Sequence, residues 1–136
     1  MLSPDTSLAG LALAEVQAQG GSPDDCTSAL WNIMVGESLG QLKLDVAGDT
    51  CTGFTAWIRL TFEQLLEVCK RNIRVFRPED NSPYAPVLFV MEQMNLGPAR
   101  RLFERRHFLA AEPGVQMLCG WRANKMLKLR VHQVRH

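Results

Sequence analysis

The amino-acid sequence predicts a single α/β domain in which helices pack on a mostly parallel central sheet. At 136 residues the chain has the length of one domain with one hydrophobic core. Segments with the apolar spacing of helices alternate with short segments typical of strands, in the order β-α-β-β-α-β-β. The uninterrupted apolar run at residues 87–91 is typical of a strand buried on both faces, and we place it at the centre of the sheet.

Two helices are expected before the first strand. Residues 8–19 are rich in alanine and leucine, and we assign 1–21 to a peripheral helix. A stronger start signal, Pro23 preceded by a capping serine, opens a second helix that ends near Gly36. Residues 41–47 then alternate apolar and polar side chains, which predicts a strand with one solvated face.

The middle of the chain admits two interpretations. Apolar residues recur at three- and four-residue intervals from Phe54 to Cys69, which predicts a long amphipathic helix. The β-branched and aromatic residues of the same segment also allow a strand at 54–60 followed by a helix capped by Thr61. A short strand at residues 73–75 and a proline-rich loop complete this region.

The last third of the chain is predicted to contain one helix and two strands. Gly97 and Pro98 open a helix whose arginines face solvent. Residues 115–119 form a short apolar strand, and the alternation at residues 127–131 predicts a final strand with a basic outer face. We assign residues 132–136 to a flexible tail.

The charge of the chain is divided between its halves. Residues 1–68 carry two basic and nine acidic side chains, a net charge of −7, whereas residues 69–136 carry thirteen basic and five acidic side chains, a net charge of +8. Such a division is typical of a surface for nucleic acid or an acidic partner, or of head-to-tail self-association.

The basic residues of the last third are the candidate nucleic-acid contacts. They are Arg100, Arg101, Arg105, Arg106, Arg122, Lys125, Lys128, Arg130 and Arg135. Contacts of this kind reach mainly the phosphate backbone, so any RNA binding is expected to be weakly sequence-specific. An acidic protein face, including the acidic half of this chain or of another subunit, is an equally good partner for these side chains.

One motif points to catalysis. Residues 36–40, Gly-Glu-Ser-Leu-Gly, match the G-x-S-x-G pattern of serine hydrolases, and His107 and His132 lie downstream. That chemistry requires a strand before the serine and a helix after it, whereas here helical spacing precedes the motif and a strand follows it. A small serine hydrolase that uses Ser38 is therefore only the alternative to a non-catalytic protein.

The remaining chemical signals are weak. Cys51 or Cys119 could pair with a histidine as a nucleophile, but a cysteine between apolar neighbours is more typical of a core. No phosphate-binding loop, dinucleotide motif or cluster with metal-ligand spacing occurs, so we expect no cofactor and no metal. Four cysteines without a C-x-x-C pair, no signal peptide and no membrane span predict free thiols in the cytoplasm.

Scattered segments carry a resemblance to a viral family. Leu30-Trp31 ahead of Gly40-Gln41 and a strand, with Asn-Lys-Met-Leu-Lys at residues 124–128, resemble the small assembly and packaging proteins of the cystoviruses, double-stranded RNA bacteriophages. The resemblance implies a non-enzymatic homodimer that binds capsid or polymerase proteins and RNA during genome packaging. It further implies a location in the virion interior and the host cytoplasm. A purely protein-binding adaptor is a further alternative.

Overall fold

The computed structural model describes residues 23–47, 50–95, 112–122 and 128–133, which form one α/β domain. Helix α1 spans Pro23–Ser38 and α2 spans Phe62–Arg71, with a 3-10 turn at Pro78–Asp80. The strands are β1 (Leu42–Ala47), β2 (Thr50–Leu60), β3 (Val87–Asn95), β4 (Met117–Arg122) and β5 (Lys128–Gln133). Neither of these two helices is long and apolar enough to cross a membrane. The helices expected at 1–21 and after Pro98 lie outside the described residues.

The strands form one five-stranded sheet in the order β1-β2-β3-β4-β5. Only β3 and β4 are parallel, and every other neighbouring pair is antiparallel. The prediction of a mostly parallel sheet is therefore wrong. The connection from β2 to β3 contains a helix, as a crossover between parallel strands would. This helix, α2, is only about 15 Å long, and the segment at residues 73–77 returns the chain to the end of β2. β3 consequently starts at the end of the sheet where β2 finished.

The ambiguous middle segment is a strand followed by a short helix. All residues from Gly53 to Leu60 are buried, because β2 is an interior strand with both faces covered. Continuous apolar character on such a strand imitates helical spacing, so the long-helix prediction is wrong and the alternative is confirmed. Thr61 caps α2: its hydroxyl accepts from the Gln64 N–H at 3.1 Å, and the Gln64 carboxamide accepts from the Thr61 N–H at 2.7 Å.

Core side chains cover both faces of the sheet. On the face that carries α1 and α2, hereafter the helical face, the main cluster includes Val35, Ile58, Leu65, Val68, Val87 and Phe89. On the opposite face a second cluster comprises Trp57, Leu88, Val90, Val115 and Leu118. β3 contributes to both clusters and is the third of five strands, so its predicted place at the centre of the sheet is confirmed.

The segment after α2 is held by side chains rather than by a β-ladder. The Asn32 amide nitrogen donates to the Arg74 carbonyl at 2.7 Å, and the Asn32 amide oxygen accepts from the Phe76 N–H at 3.1 Å. The Trp31 indole donates to the Phe76 carbonyl at 2.6 Å. The strand predicted at residues 73–75 is therefore wrong, because α1 supplies the partners that a neighbouring strand would supply.

The predicted final strand is confirmed as β5. His132 and Gln133 belong to it, so the first two residues of the predicted tail are part of the sheet. The rest of that tail lies outside the described residues.

A split between two parallel strands as the candidate functional site

β3 and β4 stop pairing before either strand ends. Their parallel ladder runs from Val87, opposite Met117, to Val90, opposite Gly120. β3 nevertheless continues to Asn95 beside β2, and β4 continues beside β5. The sheet is therefore split between β3 and β4 at their carboxyl ends.

A β-bulge lies at the start of this split. Ala56 of β2 pairs with Glu92, whereas the next residue, Trp57, pairs with Val90, so Met91 is an extra residue on β3. Bulges bend a strand and increase its twist, and they are common next to active sites. This bulge coincides with the last parallel pair, and we attribute the divergence of β3 from β4 to it.

The split has the position where α/β sheets usually bind ligands. Ligands of such sheets lie outside the carboxyl ends of parallel strands, where neighbouring strands part. Beyond Val90 and Gly120 the facing edges of β3 and β4 supply no ladder partners to each other.

Side chains on the helical face of the split are fixed by the fold. The Asn32 amide donates to the Glu92 carboxylate at 3.4 Å. The Trp121 indole donates to the Ile73 carbonyl at 2.8 Å, and its ring meets Phe89 edge-on with centroids 6.2 Å apart. These contacts form a rigid wall beneath the split.

The opposite face of the split carries a polar group without a partner. Gln93 lies opposite Thr55 in the ladder, on the face that also carries Trp57. Its amide nitrogen is buried and has no hydrogen-bond partner in the described structure. A buried donor left unpaired costs about 1–3 kcal/mol, so a ligand that accepts from this amide would gain affinity.

The β4–β5 register brings three of the predicted basic residues together. Arg122 lies directly opposite Lys128, and Arg130 lies opposite Gly120. These three residues therefore occupy neighbouring register positions at one end of the β4–β5 pair. Like charges directly opposite each other destabilise a sheet, unless an anion lies between them.

The other candidate nucleic-acid contacts are not placed. Arg100, Arg101, Arg105, Arg106, Lys125 and Arg135 lie outside the described residues, as does His107. Gln93 was missed by the sequence reasoning. The sequence feature that could have indicated it is the polar pair Glu92-Gln93, which directly follows the apolar run at residues 87–91. Residues at the carboxyl end of a buried parallel strand commonly line a binding site.

Ser38 does not occupy a nucleophile elbow. It ends α1, and its hydroxyl donates to the Val35 carbonyl at 2.8 Å. The structure explains why both positions of the motif are glycine. A Cβ on Gly36 would lie 2.9 Å from the Ala56 Cβ, and Gly40 has a φ of +69° in the turn before β1. The helix-before-strand order expected from the sequence is confirmed.

Cys119, one of the two candidate nucleophilic cysteines, is not activated, and the side chain of the other, Cys51, lies outside the described structure. Cys119 is buried in the core, and burial raises the pKa of its thiol to about 12, with a smaller contribution from Cys69. Within the described ranges no three histidine, cysteine or acidic side chains lie close enough together to hold a metal ion.

Comparison with known proteins adds a distant structural similarity. No family model matches the chain, and no curated protein matches it. Among solved structures it is similar to a "GphF GNAT-like decarboxylase in complex with isobutyryl-CoA", with a TM-score of 0.46 and 16% sequence identity. The match covers 84% of this chain and 62% of that one, so the chain spans less than two thirds of the neighbour's length. The resemblance to cystovirus proteins stays a prediction.

Proposed function

We propose that the domain binds an anionic small molecule at the split between β3 and β4. The observation that carries this proposal is the end of the parallel ladder at Val90 and Gly120, while both strands continue with their outer neighbours. A site between two parting strands is formed by the fold before the ligand arrives, so little ordering is needed on binding.

The side chains at the split favour an anion. Arg122, Lys128 and Arg130 occupy neighbouring register positions where β4 leaves β3, and the buried Gln93 amide would supply a neutral donor. A phosphate or carboxylate group would neutralise the opposed cations, and charge-assisted hydrogen bonds to it are about twice as strong as neutral ones. The proposal assigns binding and no catalytic step.

RNA binding in an assembly complex, the function expected from the sequence, is a second proposal. It is favoured by the same three cations, because a basic strand face also suits a phosphate backbone. The two proposals differ in Gln93: its buried amide would be used by a small group that enters the split, whereas a polymer lying across the sheet surface would not use it.

Titration calorimetry at low salt tests the first proposal, with sodium tripolyphosphate and a single-stranded RNA of about 20 nucleotides as ligands. We expect Arg130→Gln and Lys128→Gln each to weaken tripolyphosphate binding about tenfold, since each removes a charge-assisted contact. The matched control is Arg74→Gln, an exposed arginine on the segment that packs on α1. Absence of tripolyphosphate binding to the wild-type protein would contradict the proposal.

Gln93→Leu separates the two proposals. The variant should weaken tripolyphosphate binding about fivefold or more, because the buried donor is lost. If RNA is the ligand, the same variant should leave RNA affinity unchanged, whereas Arg130→Gln should reduce it and flatten its salt dependence.

A further inference from the structure

Tyr84 occupies a backbone position that ordinarily belongs to glycine or asparagine. The Ala85 N–H donates to the Ser82 carbonyl at 3.0 Å, which closes a turn with Pro83 and Tyr84 at its centre. Proline fixes a negative φ at the first central position, and Tyr84 has a φ of +64°, so this is a type II turn. A side chain with a Cβ is strained in that conformation.

The Tyr84 side chain is little buried against the described part of its own domain. The Tyr84 side chain is 75% exposed, the largest exposed fraction among the described large apolar residues. Contacts of the ring with its own domain therefore do not explain why a tyrosine occupies this position in place of glycine or asparagine. Backbone strain at an exposed position points to a role outside the folded monomer.

The rest of the loop fixes the backbone on both sides of Tyr84. Arg59 is buried, and its guanidinium donates to the Ala85 carbonyl at 2.8 Å and to the Pro113 carbonyl at 2.7 Å. Gly114 lies directly against the turn, where an added Cβ would come within 3.1 Å of the Tyr84 carbonyl oxygen. A rigid aromatic side chain loses little entropy on binding, which is why tyrosine is common among interface hot spots.

A groove suited to receive such a ring lies beside the same loop. It has a volume of about 580 Å³ and runs between α2 and the segment at residues 73–80. Val68, Val75 and Phe76 provide its apolar lining, and Val75 is 44% exposed within it. Arg71 and Arg77 line it too and can contact the face of an aromatic ring.

Tyr84 and the groove are neighbours on one surface. Gln64 lines the groove, donates to the Asp80 carbonyl at 2.8 Å and accepts from the Ser82 hydroxyl at 2.9 Å. Tyr84 follows Ser82 by two residues but does not fold back into its own groove. A projection beside a recess is the arrangement that a two-fold symmetric dimer requires, because each copy can fill the recess of the other.

We propose that this surface binds a second copy of the chain, with Tyr84 of each protomer inserted into the groove of the other. The mixed charge of the groove permits this approach, since Glu63, Glu67 and Asp80 accompany its two arginines. The contact is independent of the split between β3 and β4, because the turn precedes the amino end of β3 and the split begins beyond Val90.

Sedimentation velocity over a concentration series up to about 0.3 mM tests the proposal. The wild-type protein should dimerise, and Tyr84→Gly should weaken dimerisation about thirtyfold or more, as expected for a central aromatic anchor. The same variant should raise the midpoint of thermal unfolding of the dilute protein by about 2 °C, because the backbone strain is relieved. The loss of dimerisation is the test of the interface, because the rise in the midpoint follows from the φ of Tyr84 with or without a partner.

A complementation experiment gives the sharpest test. Val75→Arg fills the groove but keeps Tyr84, whereas Tyr84→Gly keeps the groove but removes the ring. Each variant alone should dimerise more weakly than the wild-type protein, whereas an equimolar mixture should associate more tightly than either variant, as a heterodimer with one intact contact. Phe62→Ser is the matched control, since Phe62 is an exposed apolar residue of α2 that does not line the groove, and it should leave dimerisation unchanged.

The proposal is overturned if the wild-type protein stays monomeric throughout the series. It is equally overturned if the mixture fails to associate although both variants give wild-type circular dichroism spectra. Dimerisation that Tyr84→Gly does not weaken would place the interface elsewhere on the molecule and would also overturn it.

Discussion

At the residue scale, Asn32 acts as a substitute for a strand. Its side chain is fully buried at 0% exposure, and both ends of its amide are bonded to the backbone on either side of Val75. The Asn32 amide thus makes the two hydrogen bonds that a peptide unit of a neighbouring parallel strand would make. The extended segment after α2 can therefore lie in the interior without a neighbouring strand.

Asn32→Ala should destabilise the protein by about 2–4 kcal/mol, because it leaves a buried carbonyl and a buried N–H unpaired. Urea unfolding followed by circular dichroism measures the change. Met34→Ala is the control on the same helix: its side chain is 62% exposed, and we expect a change within about 0.5 kcal/mol. A loss below about 1 kcal/mol for Asn32→Ala would mean that water replaces the amide.

Cys119 makes stability depend on alkaline pH. Burial raises the pKa of its thiol from an ordinary 9.0 to about 12. Between these two values the unfolded chain has released the proton and the folded chain still holds it. Stability is therefore fully present below pH 9 and falls as the pH rises, at a slope of up to about 1.4 kcal/mol per pH unit.

Unfolding free energies measured between about pH 8 and 10.5 test this dependence. Cys119→Ala should be less stable than the wild-type protein at pH 8, but its stability should fall less steeply as the pH rises. Leu118→Ala creates a cavity in the same strand without removing the thiol, and it should keep the wild-type slope. Parallel slopes for the wild-type protein and Cys119→Ala would show that the thiol does not contribute.

At the scale of elements, the contact between α1 and β2 depends on a missing side chain. A Cβ on Gly36 would lie 2.9 Å from the Ala56 Cβ and 3.0 Å from the Gln41 carbonyl oxygen. Glycine costs an ordinary helix about 1 kcal/mol relative to alanine, so its presence here reflects close packing of helix on strand. The G-x-S-x-G pattern thus has a structural origin at this position.

Gly36→Ala should destabilise the protein by about 1–3 kcal/mol despite the higher helix propensity of alanine, because α1 must move away from β2. Thermal unfolding measures the loss. The double variant Gly36→Ala with Ala56→Gly removes the facing methyl group and should recover part of it. An increase in stability for the single variant would show that the helix moves at no cost.

At the scale of the whole molecule, the centre of the sheet is the most protected part of the described fold. β2 and β3 are interior strands, and β3 is buried on both faces. Amides of Trp57–Leu60 and Val87–Val90 should therefore exchange with solvent only through global unfolding. Native-state hydrogen exchange in increasing urea measures this, and amides of the edge strand β1 should exchange faster. If the β3 amides exchange through a local opening with a free energy below that of global unfolding, β3 is not the most protected strand and the prediction is contradicted.

Several elements could be predicted from the sequence because their signals are local. Pro23 after a serine marks the start of α1, alternation marks β1 and β5, and the apolar run from Val87 marks the central strand. The charge division is also a property of the sequence, and it identified Arg122, Lys128 and Arg130 as candidate binding residues, whereas their neighbouring register positions come from the strand pairing.

Strand direction and the candidate site were decided by the tertiary structure. The sheet is mostly antiparallel because the chain returns along α1 after α2, and that return depends on Asn32, whose partners lie more than forty residues away. The split at Val90 and Gly120 arises from the pairing of three strands and a bulge, which no local period encodes. The sequence by itself therefore determined which segments are helices or strands and where charge accumulates. Only long-range packing decided how the strands pair and where the sheet opens, because those choices depend on contacts between residues far apart in the chain.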